Sequence, residues 1–457
     1  MKRTGAIVNT TLITMDPQRK RAEQGGMVWE EGEIVFIGEN QAVKRWAQQK
    51  KLPLIDGTGR YVFPGLVNTH MHLFQNLLKG LGADLTLEAW WPSTIKPAAM
   101  LLEAKHLQAA AVGGTLEAIR GGSTTLVDYM YAHPQEGLSE VLIDAVSQVG
   151  ARLMYARGYR NTGADYGFPK VLIERTKDVF SEINRLQRDY EEKQQMVSFM
   201  LAPAAVWALD ASGLMDTRGF ADEAGIPITM HMFETKTDNV VCRERFGVKD
   251  ALSFFKQTRL LGDDLLAVHV VDVGARELDA FLEYGVKVSH NPVANMYLAS
   301  GISPVIDMLK RNIVVGLGTD GAASNNTTDM LETMKITALL HKTAALDPTA
   351  MTADKVLGMA TIEGAKAIHM EEYVGSLEVG KKADFFVFYP DGCGKSSPCH
   401  DPVASLVYSS GQQSIETVVI DGRTILDKGK FVDLDEHEAY ERQSNMARDL
   451  MQKIQEA

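Results

Sequence analysis

The stretch Pro64-Gly65-Leu66-Val67-Asn68-Thr69-His70-Met71-His72 joins an apolar run to two histidines one residue apart. On a strand, residues i and i+2 point to the same side, so His70 and His72 share one face at the strand's C-terminal end. Apolar runs of similar length recur down the chain, at 62–68, 124–128, 152–159, 197–203, 226–232, 265–269, 286–290 and 313–320. Helical stretches lie between them, among them 103–120, 169–190 and 273–283. Eight strand–helix units over about 250 residues match the size of a (β/α)8 barrel, whose active site forms at the C-terminal ends of its strands.

The flanks read differently. Residues 1–60 suggest short strands at 6–15, 27–29 and 33–38, with turn signals at Glu30-Glu31-Gly32 and Gly57-Thr58-Gly59. After a helix at 354–369, short strands return at 383–389, 415–420 and 423–426, the last two around Asp421-Gly422, and a charged helix closes the chain at 436–454. Neither flank is large enough to bury a core alone. The expected architecture is an α/β (β/α)8 barrel of the TIM type, residues 61–373, inserted in a small β-sandwich-like domain built from both chain ends, residues 1–60 and 374–435, with a helix at 436–457. No internal repeat or low-complexity segment interrupts this pattern.

Composition limits the function classes. Of 457 residues, 45% are hydrophobic and 23% charged, ordinary values for a globular chain. No apolar run approaches the roughly 18 residues that would span a bilayer. The opening Met1-Lys2-Arg3-Thr4-Gly5 leads to polar Asn9, Thr10 and Thr11, not to the apolar core of a signal peptide. A net charge of −12 repels phosphate backbones and argues against nucleic acid. Three scattered cysteines, Cys242, Cys393 and Cys399, fit reduced thiols and a cytoplasmic location.

The strand ends carry the chemistry. His70 and His72 close the first strand, His231 the fifth, His269 the sixth, His290 the seventh and Asp320 the eighth, so these five of the eight strands end in histidine or aspartate. The chain has only 11 histidines, and His106, His133, His341, His369, His400 and His437 fall in helices or loops, where solvated or structural roles are expected. Two imidazoles on one strand face begin a zinc site. Glu234 stands three residues beyond His231, within reach of a metal-bound water without being a ligand.

Together, Pro64 to His72, His231-x-x-Glu234, His269, Ser289-His290-Asn291-Pro292 and Gly318-Thr319-Asp320-Gly321 resemble the amidohydrolase superfamily. More closely, they resemble its mononuclear branch, which includes cytosine, guanine, 8-oxoguanine and S-adenosylhomocysteine deaminases and the chlorotriazine hydrolases. Gly375 to Asp384 looks like that family's return into the β-domain, and Val419 to Arg423 like its late hairpin. The resemblance implies that His70, His72, His231 and Asp320 bind one divalent metal, Zn²⁺ or else Fe²⁺. Glu234 would move the proton from water to the leaving nitrogen, while His269 and Asp320 hold the nucleophile and the developing charge. The binuclear branch needs a bridging lysine on the fourth strand, and 197–203 contains none. The implied reaction is hydrolytic deamination of an aromatic N-heterocycle such as an aminopurine, pterin, pyrimidine or triazine. The alternatives are release of chloride or alkylamine from a triazine, and S-adenosylhomocysteine or methylthioadenosine deamination. A small heterocycle is the expected partner, alongside a homodimer or higher homo-oligomer, with no nucleic acid and no membrane.

The resemblance also implies substrate contacts at Gln75 and at Arg157, which matches the third-strand arginine of the S-adenosylhomocysteine deaminases; Trp90, with Trp91 and Trp207, offers stacking surfaces. Nucleoside-directed relatives carry a glutamate where Ala89 stands and a histidine after the fourth-strand proline, where Pro203 is followed by Ala204-Ala205. Both differences favour a free, flat ring. Three further patterns imitate other sites. Gly316-x-Gly318-x-x-Gly321 mimics a dinucleotide fingerprint but sits on the eighth strand rather than the first. Gly375-x4-Gly380-Lys381 lacks the Ser/Thr of a phosphate loop. Cys393-x5-Cys399-His400 matches no common zinc spacing. A scaffold without catalysis would have no need of the retained ligand set together with Glu234 and His269.

Overall fold

The computed structural model describes residues 3–193 and 196–457; Met1 and Lys2, the first residues of the segment read as lacking a leader, lie outside the described residues. Two sheets organise the chain. The outer sheet takes β1 (Gly5–Ile13), β2 (Arg21–Glu30), β3 (Glu33–Glu39), β4 (Leu54–Asp56) and β5 (Tyr61–Pro64) from the N-terminal side. The barrel follows as β6 (Leu66–Met71), β7 (Ser123–Met130), β8 (Arg152–Tyr159), β9 (Val197–Pro203), β10 (Ile228–Met232), β11 (Leu265–His269), β12 (Lys287–His290) and β13 (Val315–Leu317). The chain then returns to the outer sheet as β14 (Phe385–Phe388), β15 (Ile415–Ile420), β16 (Arg423–Asp427) and β17 (Lys430–Phe431). The outer order is β17-β16-β15-β14-β5-β1-β2-β3, with β4 on β1, and the barrel strands run parallel in chain order from β6 to β13. The Asp320 amide donates to the His70 carbonyl at 2.9 Å, which ties the end of the last barrel strand to the first.

The apolar run at 62–68 is divided between the two sheets rather than forming one barrel strand. β5 pairs with β14 in the outer sheet, and β6 pairs with β7 in the barrel. Gly65 is the pivot. A Cβ there would lie 2.0 Å from Thr124 Oγ1, so only glycine lets the strands approach this closely. Both faces of this junction are buried, which is why its sequence reads as continuous rather than alternating apolar residues. Val62, Phe385 and Val387 enter the outer sheet's own core, whereas Phe63, Phe386 and Phe388 join the barrel core. A buried ion pair also joins the two layers: Arg152 of β8 donates to Asp384 through Nε at 2.9 Å and Nη2 at 3.0 Å.

Two helical expectations are corrected. Residues 40–50, read as part of a strand region, form the helix Asn40–Lys50, which buries Val43 and Ala47 on one face. The single helix expected at 354–369 is two, Ala353–Met359 and Ile362–Ala367, because Thr361 between them leaves helical geometry at φ −130° and ψ −102°. The terminal helix Glu436–Glu456 lies against Ala104–Arg120; Asp449 accepts from His106 at 2.7 Å, and Gln443 reaches the Asn76 carbonyl at 2.9 Å, behind the turn that carries Gln75. Among the described residues, no helix is long and apolar enough to cross a membrane.

Candidate metal centre and active site

The parity of β6 brings His70 and His72 to one side, with ring centroids 4.6 Å apart. His231 comes from β10, its ring centroid 5.0 Å from that of His70, and His269 from β11, 5.5 Å from that of His231. Asp320 enters from the loop after β13, with Oδ1 3.5 Å from His70 Nε2 and 3.3 Å from His72 Nε2. Ligand atoms of His70, His72 and His231 lie within 4.8 Å of one another, as do those of His70, His269 and Asp320. His269 and Asp320 both hold left-handed backbone, at φ +73° and +63°. Non-glycine residues in this region are strained and concentrate at functional sites.

Outer contacts fix the imidazoles. Nδ1 of His72 meets the Tyr129 carbonyl at 2.6 Å, Nδ1 of His231 the Ala204 carbonyl at 2.9 Å, and Nδ1 of His269 the Asn295 side-chain oxygen at 2.9 Å. Each contact assigns the proton to Nδ1 and leaves Nε2 as a lone-pair donor towards the cluster. Burial holds His70, His72 and His231 below the usual histidine range, His72 at about 3, with the adjoining imidazoles adding to the effect at His72 and His231. They are therefore neutral, as ligands must be. Burial alone would raise the Asp320 carboxyl, but His70, aided by His269 and His72, holds it well below the carboxylate range.

Both ring nitrogens of His70 are buried and have no hydrogen-bond partner. Orphaned polar atoms of this kind are rare in folded proteins. An ion held between three imidazoles and one carboxylate would account for Nε2, the nitrogen on the Asp320 side, and this donor set suits a borderline divalent metal. Glu234 follows Phe233, whose amide donates to the buried Asp238 at 2.6 Å. Its Oε2 lies 3.6 Å from His269 Nε2, and Ser300 Oγ donates to its Oε1 at 3.4 Å. Burial, reinforced by the charge of Asp320, raises the Glu234 carboxyl above its ordinary value against the opposing pull of His269.

His72, His231, His269, Asp320 and Glu234 all contribute to the wall of one cavity. Gln75 and Trp90 line it as expected, together with Trp91, Trp207 and Ala204. Arg157 does not. Its guanidinium is buried against Glu174, at 2.6 Å, and Glu182, at 2.8 Å, and it lines a separate surface depression. That expectation is corrected: the arginine on this cavity is Arg160, three residues later, which the sequence reading passed over. His290 also stays apart. Its Nε2 lies 3.0 Å from Nε2 of His341 on the helix Met330–Ala345. Cys393 and Cys399 are both free thiols. The Gly375–Lys381 segment serves the outer sheet, where the Gly380 amide donates to Ile34 and the Lys381 carbonyl accepts from it, both at 2.8 Å.

Residues 61–425 match the amidohydrolase family model. The chain is 34% identical over 449 residues to 5'-deoxyadenosine deaminase of Methanosarcina mazei, covering 98% of both chains. It is 35% identical over 395 residues to 5-methylthioadenosine/S-adenosylhomocysteine deaminase of Thermococcus kodakarensis, covering 86% of this chain and 89% of the relative. An adenosine deaminase from Xanthomonas campestris with bound zinc superposes with a TM-score of 0.88 at 25% identity, over 99% of this chain and 98% of that one. The zinc complex of atrazine chlorohydrolase from Arthrobacter aurescens shares the fold at a TM-score of 0.90 and 23% identity, over 97% and 99% of the two chains. The chain belongs to the amidohydrolase family.

Proposed function

We propose that the protein is a metal-dependent hydrolytic deaminase of a flat aromatic N-heterocycle. The observation that carries this reading is Glu234: a buried carboxyl with a raised pKa, facing the same cavity as His72, His231 and Asp320 and 3.6 Å from His269. His70, His72, His231 and Asp320 would hold one metal, with Zn²⁺ the choice best suited to this donor set and Fe²⁺ the alternative. When bound, such a metal supplies a Lewis acid and lowers the pKa of water towards about 7.

The protein's own groups do the rest. Glu234 accepts a proton as the water oxygen bonds to an amidine-like ring carbon, and returns it to the departing nitrogen as the C–N bond breaks and ammonia leaves. His269, its ring oriented by Asn295, accepts a hydrogen bond from the attacking water through Nε2. Trp90, Trp91 and Trp207 offer apolar faces to a flat ring. At the cavity wall Ala204 presents only a methyl group, and Ala89 is exposed, which favours a free base over a nucleoside. The relatives' activities support a second reading, deamination of 5'-deoxyadenosine or its 5'-thio analogues. A panel of aminopurines, pterins, aminopyrimidines, triazines and 5'-deoxyadenosine, assayed for ammonia, chloride and alkylamine, tests both. Turnover restricted to chloride or alkylamine release would reject deamination.

A further inference from the structure

Arg160 is a charged group on the cavity that the chemistry above leaves unused. It directly follows β8, is 2% exposed and lines the cavity with the proposed catalytic groups. Its Nε and Nη1 are buried with no hydrogen-bond partner, and among the described residues no carboxylate forms an ion pair with it. Instead the guanidinium is surrounded by rings, 4.8 Å from the centroid of Phe168, 5.6 Å from Tyr131 and 6.0 Å from Trp91. Ring faces repay only part of the cost of burying a cation. Removing such a charge from water without a partner is among the most expensive arrangements a fold can carry. Arg157, three residues earlier, shows the usual remedy, two carboxylates at ion-pair distance.

The neighbouring wall is also a donor. Tyr131 Oη accepts from Gln75 Nε2 at 2.9 Å, which leaves the Tyr131 hydroxyl proton for a ligand. Gln75 Oε1 is occupied by the Ala323 amide at 3.3 Å. Arg160 and Tyr131 therefore offer one positive charge and several N–H and O–H donors to the interior, while the acceptors, Glu234 and Asp320, belong to the reacting end. A ring whose only polar substituents are amino groups would leave this wall unsatisfied. A ring oxygen, as a lactam carbonyl or its anion, would satisfy it.

We propose that Arg160, with Tyr131, is a specificity-determining site for a ring oxygen, so that the substrate is an amino-oxo N-heterocycle. This rests on the deaminase reading above and narrows its substrate class. A carboxylate on a substituent offers the same chemistry to a guanidinium. The ring oxygen is preferred because Arg160 sits among aromatic faces that a flat ring would share.

The test uses the metal-loaded full chain, wild type, Arg160→Met and Arg160→Lys, on matched pairs: guanine against 2-aminopurine, cytosine against 4-aminopyrimidine, pterin against 2-aminopteridine, and ammeline against melamine. Wild type should favour the oxo member of at least one pair by about 100-fold or more in kcat/KM, since a site built to hydrogen-bond a group discriminates strongly against its absence. In Arg160→Met that ratio should fall by about 100-fold, with Arg160→Lys between, at unchanged metal content. Without ligand, Arg160→Met should melt at the same temperature as wild type or higher, because an unpaired buried charge has gone. The deaminated products xanthine, uracil, lumazine and ammelide supply a binding readout that needs no turnover: at least one should raise the wild-type melting temperature and should not raise that of Arg160→Met. An unchanged ratio in Arg160→Met, a lower melting temperature with parallel loss on both members of a pair, or no product that shifts wild type would each overturn the assignment. Dependence on Arg160 for S-adenosylhomocysteine over 5'-methylthioadenosine, and not for any ring pair, would move the residue to a carboxylate and overturn the ring-oxygen assignment. Release of chloride without ammonia would overturn only the deaminase reading, and the product-binding shifts would then decide the role of Arg160.

Discussion

Replacing Glu234 by glutamine separates catalysis from architecture at a single atom. The side chain keeps its size, and its oxygen can still accept from Ser300 Oγ, which lies 3.4 Å from Oε1. What it loses is the ability to take a proton from water and return it to nitrogen. General acid–base transfer contributes about 10²- to 10⁴-fold, or about 2.7–5.5 kcal/mol at 1.36 kcal/mol per decade, so kcat should fall within that range. The fold should not suffer. Burial already raises the Glu234 carboxyl, meaning that its ionised form is disfavoured in the native state, and a neutral amide removes that cost. The melting temperature should stay level or rise while the metal remains bound. The raised pKa also sets the sign of the pH profile. The proton-accepting carboxylate fills above the ordinary glutamate range, so wild-type activity should climb with pH there, and the variant should lose this limb. Steady-state kinetics, metal analysis and thermal melting of the same preparations provide the assay. A Glu234→Gln protein that holds its metal and turns over within about tenfold of wild type would refute the proton-shuttle argument for any substrate.

Other expectations follow from individual contacts. His231→Ala should lose most of the bound metal on dialysis, read by elemental analysis; full occupancy would remove His231 from the ligand set. Asp384→Ala leaves Arg152, buried at 1% exposure, without the carboxylate it meets at 2.9 and 3.0 Å, and should cost about 3–5 kcal/mol in chemical denaturation; a loss below 1 kcal/mol would show that the pair does not join the layers as described. Asp128 is raised from 3.8 to about 7 by burial, against a single amide contact from Leu73 at 2.6 Å. Between those two values the native state holds a proton that the unfolded chain has released, so stability should fall as pH rises from about 4 to about 7, by at most about 4 kcal/mol for a shift of that size. Asp128→Asn should flatten the fall, as measured by urea midpoints at pH 5 and pH 8; an identical slope in the variant would exclude Asp128 as its source.

The barrel was legible because its strands are buried on both faces and so stand out as unbroken apolar runs, and because ligand residues at barrel strand ends must converge on one mouth. The same continuity hid the junction at Gly65. A strand of the outer sheet and a strand of the barrel, each buried on both sides, read as one run, and only the 2.0 Å approach to Thr124 separates them. The helix Asn40–Lys50 carried a weak signal in Val43, Trp46 and Ala47 at helical spacing, diluted by the surrounding glutamines and lysines. His290 shows the limit of counting strand ends. It closes β12 as His269 closes β11, but its ring meets His341 on a flanking helix. A histidine at a strand terminus reaches the mouth only if its register turns it inward.

Parity also decides which arginine meets the substrate cavity. Arg157 shares its strand face with Tyr155, two residues earlier, and the Tyr155 hydroxyl donates to Ser139 on the helix Leu138–Val149 at 2.8 Å. Ser139 in turn donates to Glu182 at 2.6 Å, and Glu182 accepts from Arg157. That face of β8 thus belongs to the helical layer, and the most basic side chain on it is consumed in holding strand to helix. Three residues on, an odd step reverses the face just as the strand ends at Tyr159, and Arg160 emerges on the cavity beside Tyr131. Resemblance alone pointed to Arg157, because it tracks position along the chain. The structure adds which side of the strand each position occupies, and in a barrel that is the difference between a brace for the wall and a contact for the substrate. Two arginines of the same type, separated by one odd step, therefore carry opposite expectations: Arg157→Met should cost stability by stranding Glu174 and Glu182, whereas Arg160→Met should cost selectivity and leave the fold intact.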